Sequence, residues 1–330
     1  MKWVVVMPYT RPGSMGMDFA EELSTLGHGV ETFAYRRDNV LYKNKPVKKA
    51  YQRALNRSLE QLCARTRPDV VLVIKGSPVD GDVIETIKRT TGAAVLNFFP
   101  DNPLLMMPFE HIEHYDLFFT KERYALRQME TAGLRNLYYL PMYCVPALHH
   151  PVDLTDAERA SLRGVVALVG THYPYRERLV RELTNFPLRL WGPKWGGAHA
   201  SVAPHVAGGF LDGRDKLAVY CGATLSLNPH HPMNDIVGVN TRAFELAAAG
   251  ACQVVDLKDE LPHLFKPGEE VIVYRDLPEL QRQIAYYLAH PDAARAIGDN
   301  ARRRALAEHT VRHRIEEMIA ALRERCGRAV

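Results

Sequence analysis

The sequence predicts an α/β protein built from two successive doubly wound parallel sheets. Three observations carry this expectation. Short, continuous apolar runs alternate with longer amphipathic stretches along the whole chain, the pattern of strands buried on both faces with helices between them. The 330 residues exceed the length over which one hydrophobic core usually extends. Prolines at 141, 146 and 151 then interrupt the alternation near its middle, after which it starts afresh. The expected division is residues 1–150 and 151–309, with a helical tail after them.

In the first half, Val4–Met7 is an apolar run too short for a signal peptide or a membrane span, and it reads as the first strand. A helix over Met17–Leu26 and a strand over Val30–Ala34 follow. Val47, Tyr51, Leu55 and Leu62 recur at helical spacing and mark a helix over Val47–Arg65. Val70–Ile74 is wholly aliphatic and reads as a buried strand. Asp82–Arg89 is helical after the Asp80-Gly81 turn, and Ala93–Phe98 and Leu117–Thr120 are apolar strands. A helix over Lys121–Thr131 and a strand over Leu137–Leu140 complete this half. After the proline-rich stretch, strands are expected over Val165–Val169, Leu188–Trp191, Ala223–Leu227, Cys252–Asp256 and Val271–Tyr274. Helices are expected over Arg176–Leu183, Arg214–Tyr220 and Thr241–Ala249, and three helical patterns close the chain: Leu277–Ala289, Ala293–Ala307 and Thr310–Arg325. Parallel sheets of this kind bind ligands outside the carboxyl ends of their strands.

Composition excludes several classes. Hydrophobic residues make up 47% and charged residues 24%, an ordinary globular balance. Five scattered cysteines form no CxxC and, with no secretory signal, fit a reduced cytoplasmic protein. The net charge of +4 is uneven, with ten Lys/Arg against two acids between Arg36 and Arg67. That excess suits an anionic acceptor or a membrane surface, or simply a solvated helix face. It lacks the aromatic interleaving expected of a nucleic-acid binder. No GxGxxG follows the first strand, Gly76-Ser77 lacks Walker spacing, and no GxSxG elbow occurs. His309 and His313 lack the glutamate of an HExxH motif, and His230-His231 has no third ligand at metal spacing. Asp80-Gly81-Asp82 matches a DxD pattern but reads as a turn capping a helix.

The most informative segment is Asn240 to Ala251. Asn240 is a good N-cap, Gly250 suits the left-handed C′ position, and Arg242 and Glu245 fall at i and i+3 on one helix face. This is either a ligand helix or an amphipathic helix with a surface ion pair. Gly170 and Thr171 leave a strand and are followed by Arg176 and Arg178, so backbone N–H groups and cations could meet an anion there, or Gly170 could be only a turn. Asn228 and His230 leave another strand and could meet a hydroxyl or phosphate. In the first half, Asp18 opens a helix after a glycine-containing loop, and Asp101 follows a strand in Pro100-Asp101-Asn102-Pro103. Either carboxylate could take a proton from a hydroxyl, as general bases do, or serve as a dipole partner and a turn residue.

These residues fall in a familiar order. Leu168-Val169-Gly170-Thr171, Leu190-Trp191-Gly192 with Trp195, Asn240-Thr241-Arg242-Ala243-Phe244-Glu245 and Gly250-Ala251 come first. Gly268-Glu269-Glu270, Tyr274-Arg275-Asp276, Tyr286-Tyr287-Leu288 and His309-Thr310 follow. From about Val165 onward the chain resembles the glycosyltransferases that include the CgeB-like spore maturation proteins. The first half resembles their amino-terminal domain more loosely, through Pro68–Val73 and Phe98–Pro103. The resemblance implies a GT-B fold, with two Rossmann-like domains facing across a cleft, donor on the second and acceptor on the first. The last helix, from 310 on, would join the first domain. It implies a UDP-, GDP- or TDP-linked sugar as co-substrate, no other cofactor and no metal. Glu245 would accept from the ribose hydroxyls and Arg242 would contact the diphosphate or sugar. Gly170 and Thr171 would line the diphosphate turn, with charge from Arg176 or Arg178. Asp101-Asn102 departs from a pair of acids common in the family, which bears on the role of Asp101. The rival reading is a relative that binds nucleotide-sugars without turning them over.

Overall fold

The computed structural model describes residues 1–36 and 45–327, and these form two compact units: Met1–Pro141 with Val311–Val330, and Met142–Thr310. Residues 142–150, which the sequence reading places in the first domain, cluster with the second. Met142, Tyr143 and Cys144 are buried there, and the Cys144 N–H donates to the His309 carbonyl at 2.8 Å.

The first unit runs β1 (Lys2–Met7), α1 (Met15–Thr25), β2 (Gly29–Ala34), α2 (Lys45–Thr66), β3 (Val70–Ile74), α3 (Gly81–Thr91) and β4 (Ala94–Phe99). The short helices α4 (Pro103–Met106) and α5 (Phe109–Ile112) precede β5 (Leu117–Thr120), α6 (Arg123–Thr131) and β6 (Leu137–Tyr139). The strands pair in parallel in the order β2-β1-β3-β4-β5-β6. Along β1 and β3, alternate residues point to opposite faces. Val4, Val6, Val71 and Val73 face Leu55, Leu59 and Cys63 of α2 and Ile84 and Ile87 of α3 in one core. Asp80 does not cap α3 with its side chain. Its carboxylate accepts from Gln52 at 2.7 Å and Asn56 at 2.6 Å, tying α2 to α3. The basic character of α2 lies on its outer face, where Lys49, Arg53 and Arg57 are exposed; Arg37, Asp38 and Lys43 of that segment lie outside the described residues.

The second unit comprises α7 (Asp156–Leu162), β7 (Val166–Val169), α8 (Pro174–Arg181), β8 (Leu188–Trp191), β9 (Val206–Gly208), α9 (Gly213–Gly222), β10 (Leu225–Asn228), α10 (Thr241–Ala248), β11 (Gln253–Asp256), α11 (Leu261–Leu264), β12 (Ile272–Tyr274), α12 (Leu277–Ala289) and α13 (Pro291–Glu308). Its sheet is parallel in the order β12-β11-β10-β7-β8-β9. Val166 and Leu168 turn to a core shared with α8, α12 and α13. Ala167 and Val169 turn to a second core shared with α7, α9 and α10. The last helix, α14 (Val311–Cys326), belongs to the first unit and packs on α1. There Arg312 donates to Glu22 at 2.6 Å, and the buried Arg314 donates to the Pro141 carbonyl at 3.0 Å.

The sequence reading omits β9, a three-residue edge strand with no periodic signal, and the four-residue helices α4, α5 and α11. It also omits α7, although Thr155 and Glu158 form a full capping box at its start. Among the described residues no helix is long and apolar enough to cross a membrane.

In the second sheet the strand order reverses between β7 and β10, the position at which open α/β sheets leave a crevice at their carboxyl ends. The backbone there is tightly packed. Gly192 has φ 140°, and a side chain on it would run into the backbone of Gly170. Gly192→Ala should therefore destabilise the unit by about 1–3 kcal/mol, the usual scale of backbone strain, measured by denaturant unfolding against wild type.

Candidate functional site

The crevice between β7 and β10 collects most of the second-unit residues singled out from the sequence. Gly170 leaves β7, and its N–H is taken by the Trp191 carbonyl at 2.8 Å, so it contributes space rather than a donor. Two guanidinium groups fill that space. A Cβ on Gly170 would stand 2.8 Å from Arg176 Nη1 and 3.0 Å from Arg242 Nη2. Arg176 comes from α8 and is buried. It donates to the carbonyls of Thr171 and Pro229, the latter at 3.4 Å, which draws the β7 and β10 loops together. Burial, then the like charge of Arg242, pushes its pKa down to about 10. Among the described residues neither arginine is in an ion pair, and the carboxylates that act on them, Asp235 on Arg176 and Glu245 on Arg242, do so at longer range.

Arg242 and Glu245 sit on α10, whose start is defined by side chains. Asn240 Oδ1 accepts from the Ala243 N–H at 3.1 Å. Asn228, fully buried at the end of β10, exchanges hydrogen bonds with Asn240 at 3.2 and 3.1 Å and donates to Gln253 at 3.2 Å; Gln253 in turn donates to the Ala243 carbonyl. Asn228 thus anchors the helix to the sheet, and its polar atoms are engaged within the protein. At the other end Gly250 is left-handed, and the Ala251 N–H bonds the Leu246 carbonyl, the C-terminal stop that the sequence signals.

Glu245 is half-buried and lies among Lys216 of α9, with Nζ 3.3 Å from Oε2, His149, with Nε2 3.9 Å from Oε1, and Arg242. Burial raises the carboxyl, but Lys216, His149 and Arg242 outweigh it and hold the pKa below its ordinary value. Lys216 and His149 are additions that the sequence reading does not make. Each is remote from Glu245 in sequence, and only the packing of α9 and of the 142–150 segment reveals them.

His230 lies one residue beyond the Pro229 carbonyl that Arg176 grips. Its backbone N–H and Nδ1 both meet Asp256 Oδ1, at 2.8 and 2.9 Å, and its side chain is fully buried. The remaining ring nitrogen, Nε2, has no protein partner. Arg178 turns away from this assembly: it is exposed on α8 and paired with Glu182. Asp18 and Asp101 are carried by the first unit. Asp18 stands in the first turn of α1. Asp101 follows β4 and pairs with Lys75 at 2.5 Å, and Lys75 is left-handed at φ 62°. Asn102, the departure from a pair of acids, caps α4 by accepting from the Leu104 N–H at 3.1 Å. Among the described residues no group of three or more His, Cys, Asp or Glu side chains is placed to hold a metal ion.

Asp256 gives the site a pH signature. Burial raises its carboxyl, but hydrogen bonds from His230 and the charge of Lys258, 3.2 Å away, hold it at about 2. A folded value below the ordinary carboxylate range stabilises the fold above about pH 4, and that stability is lost as the pH falls through about 2. Asp256→Asn should remove about 2 kcal/mol of acid dependence from this window, measured as the difference between wild-type and variant unfolding free energies.

Residues 176–320 match a family model described as Glycosyl transferase-like. No curated protein matches the chain. Among solved structures, sucrose-phosphate synthase from Thermosynechococcus elongatus superposes with a TM-score of 0.70 at 15% identity, covering 98% of this chain and 99% of the other. HepE from Anabaena, in complex with UDP and glucose, superposes with a TM-score of 0.68 at 13% identity, covering 98% and 100%. A glycosyltransferase from Rickettsia africae superposes with a TM-score of 0.69 at 9% identity, covering 98% of each chain. At such identities the likeness is one of fold: the chain has the GT-B architecture, and its second unit carries most of a Glycosyl transferase-like segment.

Proposed function

We propose that the protein is a metal-independent glycosyltransferase of the CgeB-like group, moving a hexose from a UDP-, GDP- or TDP-linked donor to a hydroxyl of its acceptor. One observation carries this reading: the Arg176 and Arg242 guanidinium groups converge on Gly170 at the sheet's switch point, one helical turn from a charged Glu245. The matching family model and the UDP complex of the Anabaena neighbour support it.

The chemistry follows from charge. As the bond between the anomeric carbon and the phosphate oxygen breaks, negative charge builds on the diphosphate, and two preorganised guanidinium groups stabilise it without a cation. An ionised Glu245 accepts hydrogen bonds from the ribose hydroxyls. Thr171 lines the same turn, and His230 Nε2 is a further partner for donor oxygens. On the acceptor side, Asp101 or Asp18 would take the proton of an attacking hydroxyl if the reaction inverts configuration; a retaining reaction needs neither. The exposed cations of α2 favour an anionic acceptor, free or at a membrane surface, over nucleic acid.

A donor that binds the native state raises its melting temperature. UDP, GDP or TDP, free or sugar-linked, should therefore stabilise the protein in a thermal-shift panel; no shift with any of them overturns the donor site. Glu245→Ala should weaken nucleotide affinity about ten- to hundredfold by calorimetry, the scale of losing charge-assisted hydrogen bonds. Asp101→Asn should lower kcat about a hundredfold with donor KM unchanged if Asp101 is the base.

A further inference from the structure

We propose that His149 is a positioning residue for the Glu245 carboxylate, an inference that rests on the donor reading above. His149 lies in the segment that leads into the second unit, far from Glu245 in sequence. The residue is 8% exposed, and its two ring nitrogens have separate surroundings. Nδ1 accepts from the Val145 N–H at 3.0 Å. In a neutral imidazole the single ring hydrogen must then sit on Nε2. That nitrogen lies 3.9 Å from Glu245 Oε1, beyond hydrogen-bond distance, so the N–H acts on the carboxylate as a nearby dipole.

The groups facing the ring are Glu245 from α10, Lys216 from α9 and the neighbouring His150. Burial lowers the His149 pKa ahead of the opposing pull of Glu245, which favours the neutral ring. Lys216 engages the other oxygen, Oε2, at 3.3 Å. The carboxylate is therefore held from two sides, by a cation at one oxygen and a dipole at the other. An ionised carboxylate offers about four acceptor positions, so beside Lys216, His149 and Tyr220 a position stays open for a ribose hydroxyl. Without the Nε2–H, Lys216 and Arg242 would orient the group with nothing opposing them on the His149 side.

Two variants separate this role from packing. His149→Phe keeps a planar ring but has no donor; His149→Gln places an amide N–H near the position of Nε2. Both lose the acceptor for Val145, so the contrast between them isolates the donor. The probes are UDP, GDP and TDP and their 2′,3′-dideoxy forms, titrated calorimetrically against the full chain, with melting temperatures recorded for each variant. Wild type should prefer the ribose form of whichever diphosphate it binds. His149→Phe should weaken that form about three- to tenfold, the scale of a modest net polar interaction. It should leave the dideoxy form within about twofold, and His149→Gln should restore ribose affinity to within about twofold. Equal losses for ribose and dideoxy forms, or wild-type affinity in His149→Phe, overturn the inference while leaving the donor reading intact. If wild type binds none of the three diphosphates, or does not distinguish the hydroxyl-bearing sugar from dideoxyribose, the assignment of Glu245 fails, and this inference with it.

Discussion

Two like charges side by side are the constraint around which the second unit is arranged. Arg176 and Arg242 carry like charges, and burial makes Arg176 more costly to keep ionised. They stay together because each is fixed by its own element. Arg176 is clamped by carbonyls from the β7 and β10 loops, and Arg242 rides a helix pinned to the sheet by the Asn240–Asn228–Gln253 relay. Tight backbone contact between Gly192 and Gly170 keeps the floor beneath them free of side chains.

Glu245 shows the complementary tactic. A half-buried carboxylate one turn from Arg242 could close an ion pair with it and neutralise the site. Lys216 and His149 flank its oxygens instead, and Arg242 acts on it only at longer range. Cation and carboxylate thus stay separate groups although they share one short helix.

Much of this was legible in the sequence because it is local. The Asn240 cap, the Gly250 stop and the i, i+3 placement of Arg242 and Glu245 depend on residues within one helix, and the structure shows all three. The strands of both sheets are continuous aliphatic runs and announce themselves. The opposite holds for Lys216, His149 and Asp256, whose relation to the site exists only after distant elements pack. Arg178 illustrates the limit from the other side: two residues from Arg176, it lies on the outer face of the same helix, and the sequence offers no means of choosing between them. Asn228 is similar, since a polar residue at a strand end can serve a ligand or anchor a helix, and only its neighbours decide.

The first unit is discontinuous: Met1–Pro141 is completed by α14, while Met142–Thr310 forms the second unit without a break. On a ribosome the chain emerges from its amino terminus, so α1 waits with its α14-facing side unpaired until the whole second unit has been made. The second unit has all its parts as soon as residue 310 is out, and its folding brings Cys144 against His309, drawing the two ends of the insertion together. This shortens the loop that α14 must close to reach α1, and loop closure is entropically easier for shorter loops. The order of assembly is thereby the reverse of the order of synthesis: the unit begun first is the one finished last.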